Sequence, residues 1–204
     1  MSAAYIDIDE LTTRRAWPVE ALESLDGHSR GVLLSDWVEI FTRQLGRAAV
    51  TRIRQGLGKM SAAIPDAPAQ REWIPLGAQL RFVDVVLRDV LDGDLDALES
   101  VLLEAVRRRH RSSLLLARAI GPRGAFGQAR RIHRLCFDTG DVEVETTRSS
   151  ATITTTHPTL SDQPTWQLLQ LFAARMLVKL AGRVPTRTLG HHDRDRFTAE
   201  VHWR

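Results

Sequence analysis

His191, His192, Asp193 and Asp195 form the closest gathering of metal-binding side chain types in this chain, since imidazole and carboxylate suit zinc and similar ions. Their neighbours set them in a hairpin turn. Val184 to Leu189 reads as a short strand, and Arg196 to Trp203 alternates Phe197, Ala199, Val201 and Trp203 with Thr198, Glu200 and His202. Consecutive turn side chains diverge, so a polar turn is the plainer reading and no metal is expected.

Cys136 and His133 stand three apart on a segment predicted to be helical from Ala125 to Phe137, a spacing at which a thiolate can meet a base. Phe126, Ala129 and Ile132 share that face, which makes it a core face and the pair a packed one. Ser149 and Ser150 are turn residues outside any Gly-x-Ser-x-Gly elbow. Gly121, Gly124 and Gly127 precede a helix but follow no strand, so a phosphate cradle fails on context. No catalytic residue is assigned.

The remaining chemical feature is basic. Arg107, Arg108, Arg109 and Arg111, with Arg130, Arg131 and Arg134, form a candidate interaction patch. There is no helix-turn-helix spacing, zinc finger or aromatic ladder beside it, which argues against nucleic acid and for a protein partner or self-association.

These residues need elements to position them. Pro18 can open a short helix through Val19, Leu22 and Leu25, and Ser35 and Asp36 resemble a helix start before Trp37, Ile40, Phe41 and Leu45. Ala49, Ile53 and Leu57 extend that stripe if the helix survives Gly46. Residues 61–72, with Pro65 and Pro68, read as a loop. Helical stripes follow at Leu76 to Val90, closed by Gly93, and at Leu95 to Val106, capped by Asp94. A further helix, Ser112 to Ile120, ends at Gly121 and Pro122. The period then falls to two. Asp141 to Thr147 and Ala151 to Thr156 form a hairpin, a long apolar helix spans Trp166 to Ala181, and two strands close the chain. Trp166, Leu169, Phe172, Ala173, Met176, Leu177 and Leu180 make that helix's apolar stripe. The predicted class is α+β, a helical layer followed by a ββαββ antiparallel sheet with a packed helix.

With 204 residues, 43% hydrophobic and 26% charged, the chain suits one domain over 1–204, residues 1–60 being its helical N-terminal portion. No run of 18 apolar residues exists, and Met1 to Glu10 has the wrong flanks for a leader, so a cytoplasmic protein with no membrane span is expected. Cys136 is the lone cysteine, which excludes an intrachain disulfide. Residues 1–100 carry net −5 and residues 101–204 net +8.

Three passages carry a family likeness: Glu72-Trp73-Ile74-Pro75-Leu76, Phe137-Asp138-Thr139-Gly140, and Ala199-Glu200-Val201-His202-Trp203. Through them residues 72–204 resemble a superfamily of four-vinyl-reductase-like sensory domains, heme and nitric-oxide-binding domains and small TRAPP subunits. Within it the chain is most similar to an uncharacterised family expanded as paralogues in myxobacteria. The resemblance implies a binding or signalling module that takes a protein partner or a small apolar molecule and does no chemistry itself. The Tyr-x-Ser-x-Arg heme-propionate motif of the heme-binding branch is absent, so no cofactor is expected. Trp166, Phe172, Met176, Phe197 and Trp203 are the candidate core or pocket lining.

Overall fold

The computed structural model describes residues 5–13, 17–63, 72–109 and 111–204. It is α+β, and its contacts fall into two compact units: residues 1–15, 109–134 and 140–204 in one, 16–108 and 135–139 in the other.

The first unit is built on a five-stranded antiparallel sheet. In chain order its elements are β1 (Tyr5–Asp7), α1 (Ile8–Thr13), α6 (Arg111–Phe126), most of α7 (Ala129–Cys136), β4 (Asp141–Thr146), β5 (Ser150–Thr156), α8 (Pro164–Leu180), β6 (Pro185–Asp193) and β7 (Arg196–Trp203). The strand order is β1-β6-β7-β5-β4. Alternation places Ala151, Ile153 and Thr155 of β5 and Phe197, Ala199, Val201 and Trp203 of β7 on the buried face. Helix α8 packs on β5, β6 and β7. Phe126 stacks on Trp203, with ring centroids 5.8 Å apart.

Two expectations change here. Tyr5–Asp7 lies within the portion read as helical, yet it forms an edge strand in register with β6, Ile6 opposite Gly190. A side chain at Gly190 would strike the Phe197 ring, so glycine there lets that ring lie against β6. Strand β6 also runs on through His191, His192 and Asp193, because Arg194 adopts φ +52° and makes the turn with Asp195 alone.

Along α8 the fully buried line passes through Leu168, Leu171, Ala174 and Val178 beside Trp166 and Phe172, whereas Met176 and Leu177 are half-buried. Gln167 and Gln170 are buried too. Gln167 is held by its Nε2 donating to the Ser161 carbonyl at 2.7 Å. The α8 N-terminus is capped by the Gln163 side chain, which accepts from the Trp166 N–H.

The second unit is helical. It contains α2 (Val19–Glu23), β2 (His28–Arg30), α3 (Gly31–Leu57), a 3-10 segment at Gly58–Ala63, β3 (Trp73–Pro75), α4 (Leu76–Val85), a π turn at Val86–Val90 and α5 (Leu95–Arg109). Helix α3 begins at Gly31, four residues before the expected start, because Ser35 donates back to the Gly31 carbonyl at 2.9 Å instead of capping. It breaks at Gly46, φ +81°, and resumes. Leu34, Phe41, Ile53, Leu57, Leu76 and Leu80 fill the core around Phe82, whose ring lies 5.9 Å from Phe41 and 6.3 Å from Trp37. The buried Asp84 carboxylate takes Arg81 at 2.9 Å and Arg88 at 2.6 Å. Asp94 caps α5 as expected, accepting the Ala97 N–H at 2.9 Å. Residues 64–71 of the expected loop lie outside the described residues.

Candidate functional site

Two of the passages that carry the family likeness meet in the helical unit. Trp73, Ile74 and Pro75 form β3, paired antiparallel with β2 as Arg30 to Trp73, Ser29 to Ile74 and His28 to Pro75. On the other side of β2, Phe137 bridges Ser29. The Asp138 N–H donates to the His28 carbonyl at 3.2 Å, and the His28 N–H donates to Asp138 Oδ1 at 2.6 Å. Backbone bonds close both ends, from Gly31 to Glu72 at 2.8 Å and from Leu76 to Gly27 at 3.0 Å. Gly27, φ +103°, has no room for a side chain against Thr139.

Alternation along β2 sorts its chemistry. His28 and Arg30 point outward, His28 to Asp138 and Arg30 across the Trp73 ring with its guanidinium carbon 4.0 Å from the centroid. Ser29 points inward and is fully buried, with no hydrogen-bond partner for its hydroxyl among the described residues. Helix α4 packs on both strands and carries Gln79, 1% exposed, whose Oε1 also lacks a partner there. Two unsatisfied polar atoms in one apolar unit are costly, roughly 1 to 3 kcal/mol each when nothing else reaches them.

His28, Ser29, Arg30 and Gln79 escaped sequence reasoning. A three-residue strand gives too few positions for alternation to register, and Asp26-Gly27 reads as a helix end. The nearest signal was Glu72 to Leu76, which marks one wall of the site without its partner strand.

The residues singled out from sequence are dispersed. Arg107 and Arg108 are exposed on α5, Arg108 bonding Glu39 at 2.8 Å; the side chains of Arg109 and Arg111 lie outside the described residues. On α7, Arg130 and Arg134 share Asp141 at 3.1 and 3.9 Å, and Arg131 is exposed. Trp166, Phe172, Phe197 and Trp203 are buried in the sheet unit, and Met176 is half-buried. His133 is buried edge-on to Trp166, 6.4 Å between centroids, while Ile132 is exposed. Burial pushes the Cys136 thiol up to about 11, against the lowering field of Arg30, so it stays protonated at neutral pH and is a poor nucleophile. Among the described residues no three His, Cys, Asp or Glu converge on a metal position.

No family model matches the chain, and no curated protein matches it. Solved structures do. The unliganded Fe(II) H-NOX protein from K. algicida aligns at TM-score 0.58 and 11% identity, covering 86% of this chain and 96% of that one. A substituted Tt H-NOX aligns at 0.61 and 8%, covering 86% and 95%. An oxygen-binding H-NOX domain related to soluble guanylate cyclases aligns at 0.50 and 8%, again over 86% and 95%.

Another structure similar to this chain is described by its heme, a group that needs an axial donor facing an open apolar cleft. The described donors do not fit one. His157 is buried with Nδ1 taking the Thr159 N–H at 3.2 Å. A side chain on Gly140 would stand 3.6 Å from both the His157 ring and His133 Nε2, so both imidazoles pack on backbone. The Cys136 thiol is protonated, and His191 lies within the sheet on β6, paired between Tyr5 and Thr198 with its ring 6.3 Å from the Tyr5 ring. What the solved structures share with this chain is architecture: it has the fold of the H-NOX domains.

Proposed function

We propose that this chain is a non-catalytic sensory module that binds a small, largely apolar molecule with one polar group inside its helical unit, and that it does so without heme. The observation that carries the reading is the pair of buried, unpartnered polar atoms, Ser29 Oγ on β2 and Gln79 Oε1 on the helix packed against it. An amide oxygen left in an apolar interior calls for a donor, and a ligand hydroxyl or amine would supply one. A fold shared along nearly the whole length of ligand-binding H-NOX domains supports the same reading. Native mass spectrometry of protein purified under mild conditions tests it. We expect a bound small-molecule mass in the parent protein and its loss in Gln79→Leu, which keeps the volume and removes the acceptor. A parent protein that shows only its polypeptide mass, with a melting point no compound in a broad metabolite set moves, sinks the reading.

A second reading rests on a different observation. Trp73, 38% exposed, lies under Arg30 on the outer side of the same ribbon, and Trp and Arg dominate the energetics of protein contacts. The ribbon is then the surface through which a partner protein reads the state of the module. Trp73→Ala should abolish partner capture and leave ligand retention intact; loss of both would place Trp73 in the ligand site.

A further inference from the structure

Helix α6 carries an apolar face that nothing in the sheet unit covers. Leu115 is 71% exposed, Leu116 60% and Ile120 42%, and Ala119 is exposed with them. At helical spacing these four span roughly 140° of arc, a continuous aliphatic stripe of the kind normally turned inward. The stripe ends where Gly121, φ +68°, and buried Pro122 kink the helix. Exposed Arg118 and Arg123 flank it. Arg118 also lies against Gly182, its Cγ 3.8 Å from where a glycine side chain would begin, and the next two residues repeat the composition: Arg183 is exposed and Val184 is 55% exposed.

Every charged residue of α6 is an arginine, and between Glu104 and Asp138 the sequence holds nine arginines and no acidic residue; three of the nine pair with acids elsewhere, Arg108 with Glu39 and Arg130 and Arg134 with Asp141. An occupant must therefore be anionic and also offer apolar depth. Nucleic acid supplies phosphates but no aliphatic surface for Leu115, Leu116 and Ile120. A protein groove is read mainly through aromatic and hydrogen-bonding anchors, whereas the exposed residues named here are Leu, Ile, Ala, Val and Arg. An anionic lipid surface matches both requirements, with aliphatic side chains entering at the acyl boundary and guanidinium groups reaching the headgroup phosphates.

We infer that α6 and the Gly182–Val184 corner form a peripheral docking surface for anionic membranes, separate from the ribbon site. No helix among the described residues is long and apolar enough to cross a membrane, so the contact lies in the interface plane. The test is co-sedimentation of the full chain with vesicles of phosphatidylcholine alone, and of phosphatidylcholine with about one quarter phosphatidylglycerol, at about 0.1 M and about 0.5 M salt. The expected result is binding to the anionic vesicles that weakens with salt, and little binding to the neutral ones. The triple variant L115S/L116S/I120S should lose about tenfold or more of the anionic binding, while R118Q/R183Q should lose less and show a shallower salt dependence. All five side chains are largely exposed, so both variants should melt with the parent; if the triple variant does not, Leu116→Gln alone carries the comparison. A parent protein that stays in the supernatant with anionic vesicles overturns the inference, as does a folded triple variant that sediments like the parent.

Discussion

Asp138 grips His28 twice, accepting the backbone N–H on Oδ1 at 2.6 Å while Oδ2 lies 2.8 Å from the ring Nδ1. An ionised carboxylate only accepts, so the ring must present its proton at Nδ1 and leave Nε2 outward. The pair joins residues 110 positions apart and ties the Phe137–Thr139 strap to β2. Because both groups are partly solvated, Asp138→Ala should cost only about 1 kcal/mol in urea unfolding. Amide exchange at Phe137 and Asp138 should rise more than exchange in α4. Uniform acceleration across the helical unit would mean that the strap is not a local fastening.

Phe172, 1% exposed, sits in the middle of α8. Truncating it to alanine should cost roughly 3 to 5 kcal/mol, as large-to-small core changes do. Thermal unfolding decides. A nearly unchanged midpoint would move Phe172 from core to pocket lining and the ligand reading from the helical unit to the sheet unit.

Cys136 should resist alkylation. With its thiol pushed up to about 11, only a minute fraction is thiolate at pH 8, and the folded protein should react with iodoacetamide far more slowly than the unfolded chain. The rate should climb as pH approaches 11. A fast reaction at pH 7 would put a nucleophile back among the candidate roles.

Asp141 is held below the usual carboxylate range, first by the Val142 backbone N–H and then by Arg130 and Arg134. A lowered folded value stabilises the protein above the unfolded pKa near 4, and that contribution is lost as pH falls through the folded one. Asp141→Asn should therefore melt slightly lower than the parent at pH 7, with the difference closing below about pH 4. The residue is exposed, so the effect is small; a gap that persists at pH 2 would assign it to the side chain's shape.

The sheet was legible because burial on one face imposes a period of two on β5 and β7, and that period is written in Ile153, Phe197, Val201 and Trp203. Strand β1 was not, since three residues show no period and its partner β6 lies some 180 residues away. The interior of α8 was half legible. Trp166 and Phe172 announced it, but the buried leucines are Leu168 and Leu171 rather than Leu169, Leu177 and Leu180 of the expected stripe, and Gln167 is buried by a bond to Ser161 outside the helix, which no helical stripe can express. The ribbon site failed to appear for the same reason: Ser29 and Gln79 matter through segments 45 or more residues away, and only the fold brings Ile74 and Phe137 beside Ser29.

The way the chain is shared between its units sets an order of assembly. Residues 16–108 are contiguous and lack only the strap at 135–139, so the helical unit can close while the rest is still being synthesised. Strand β1 is made before the rest of its sheet yet has no neighbour until β6, some 180 residues later. It must wait, unpaired, while the residues up to β6 are made, which makes Tyr5–Asp7 the strand most open to wrong pairing in the meantime.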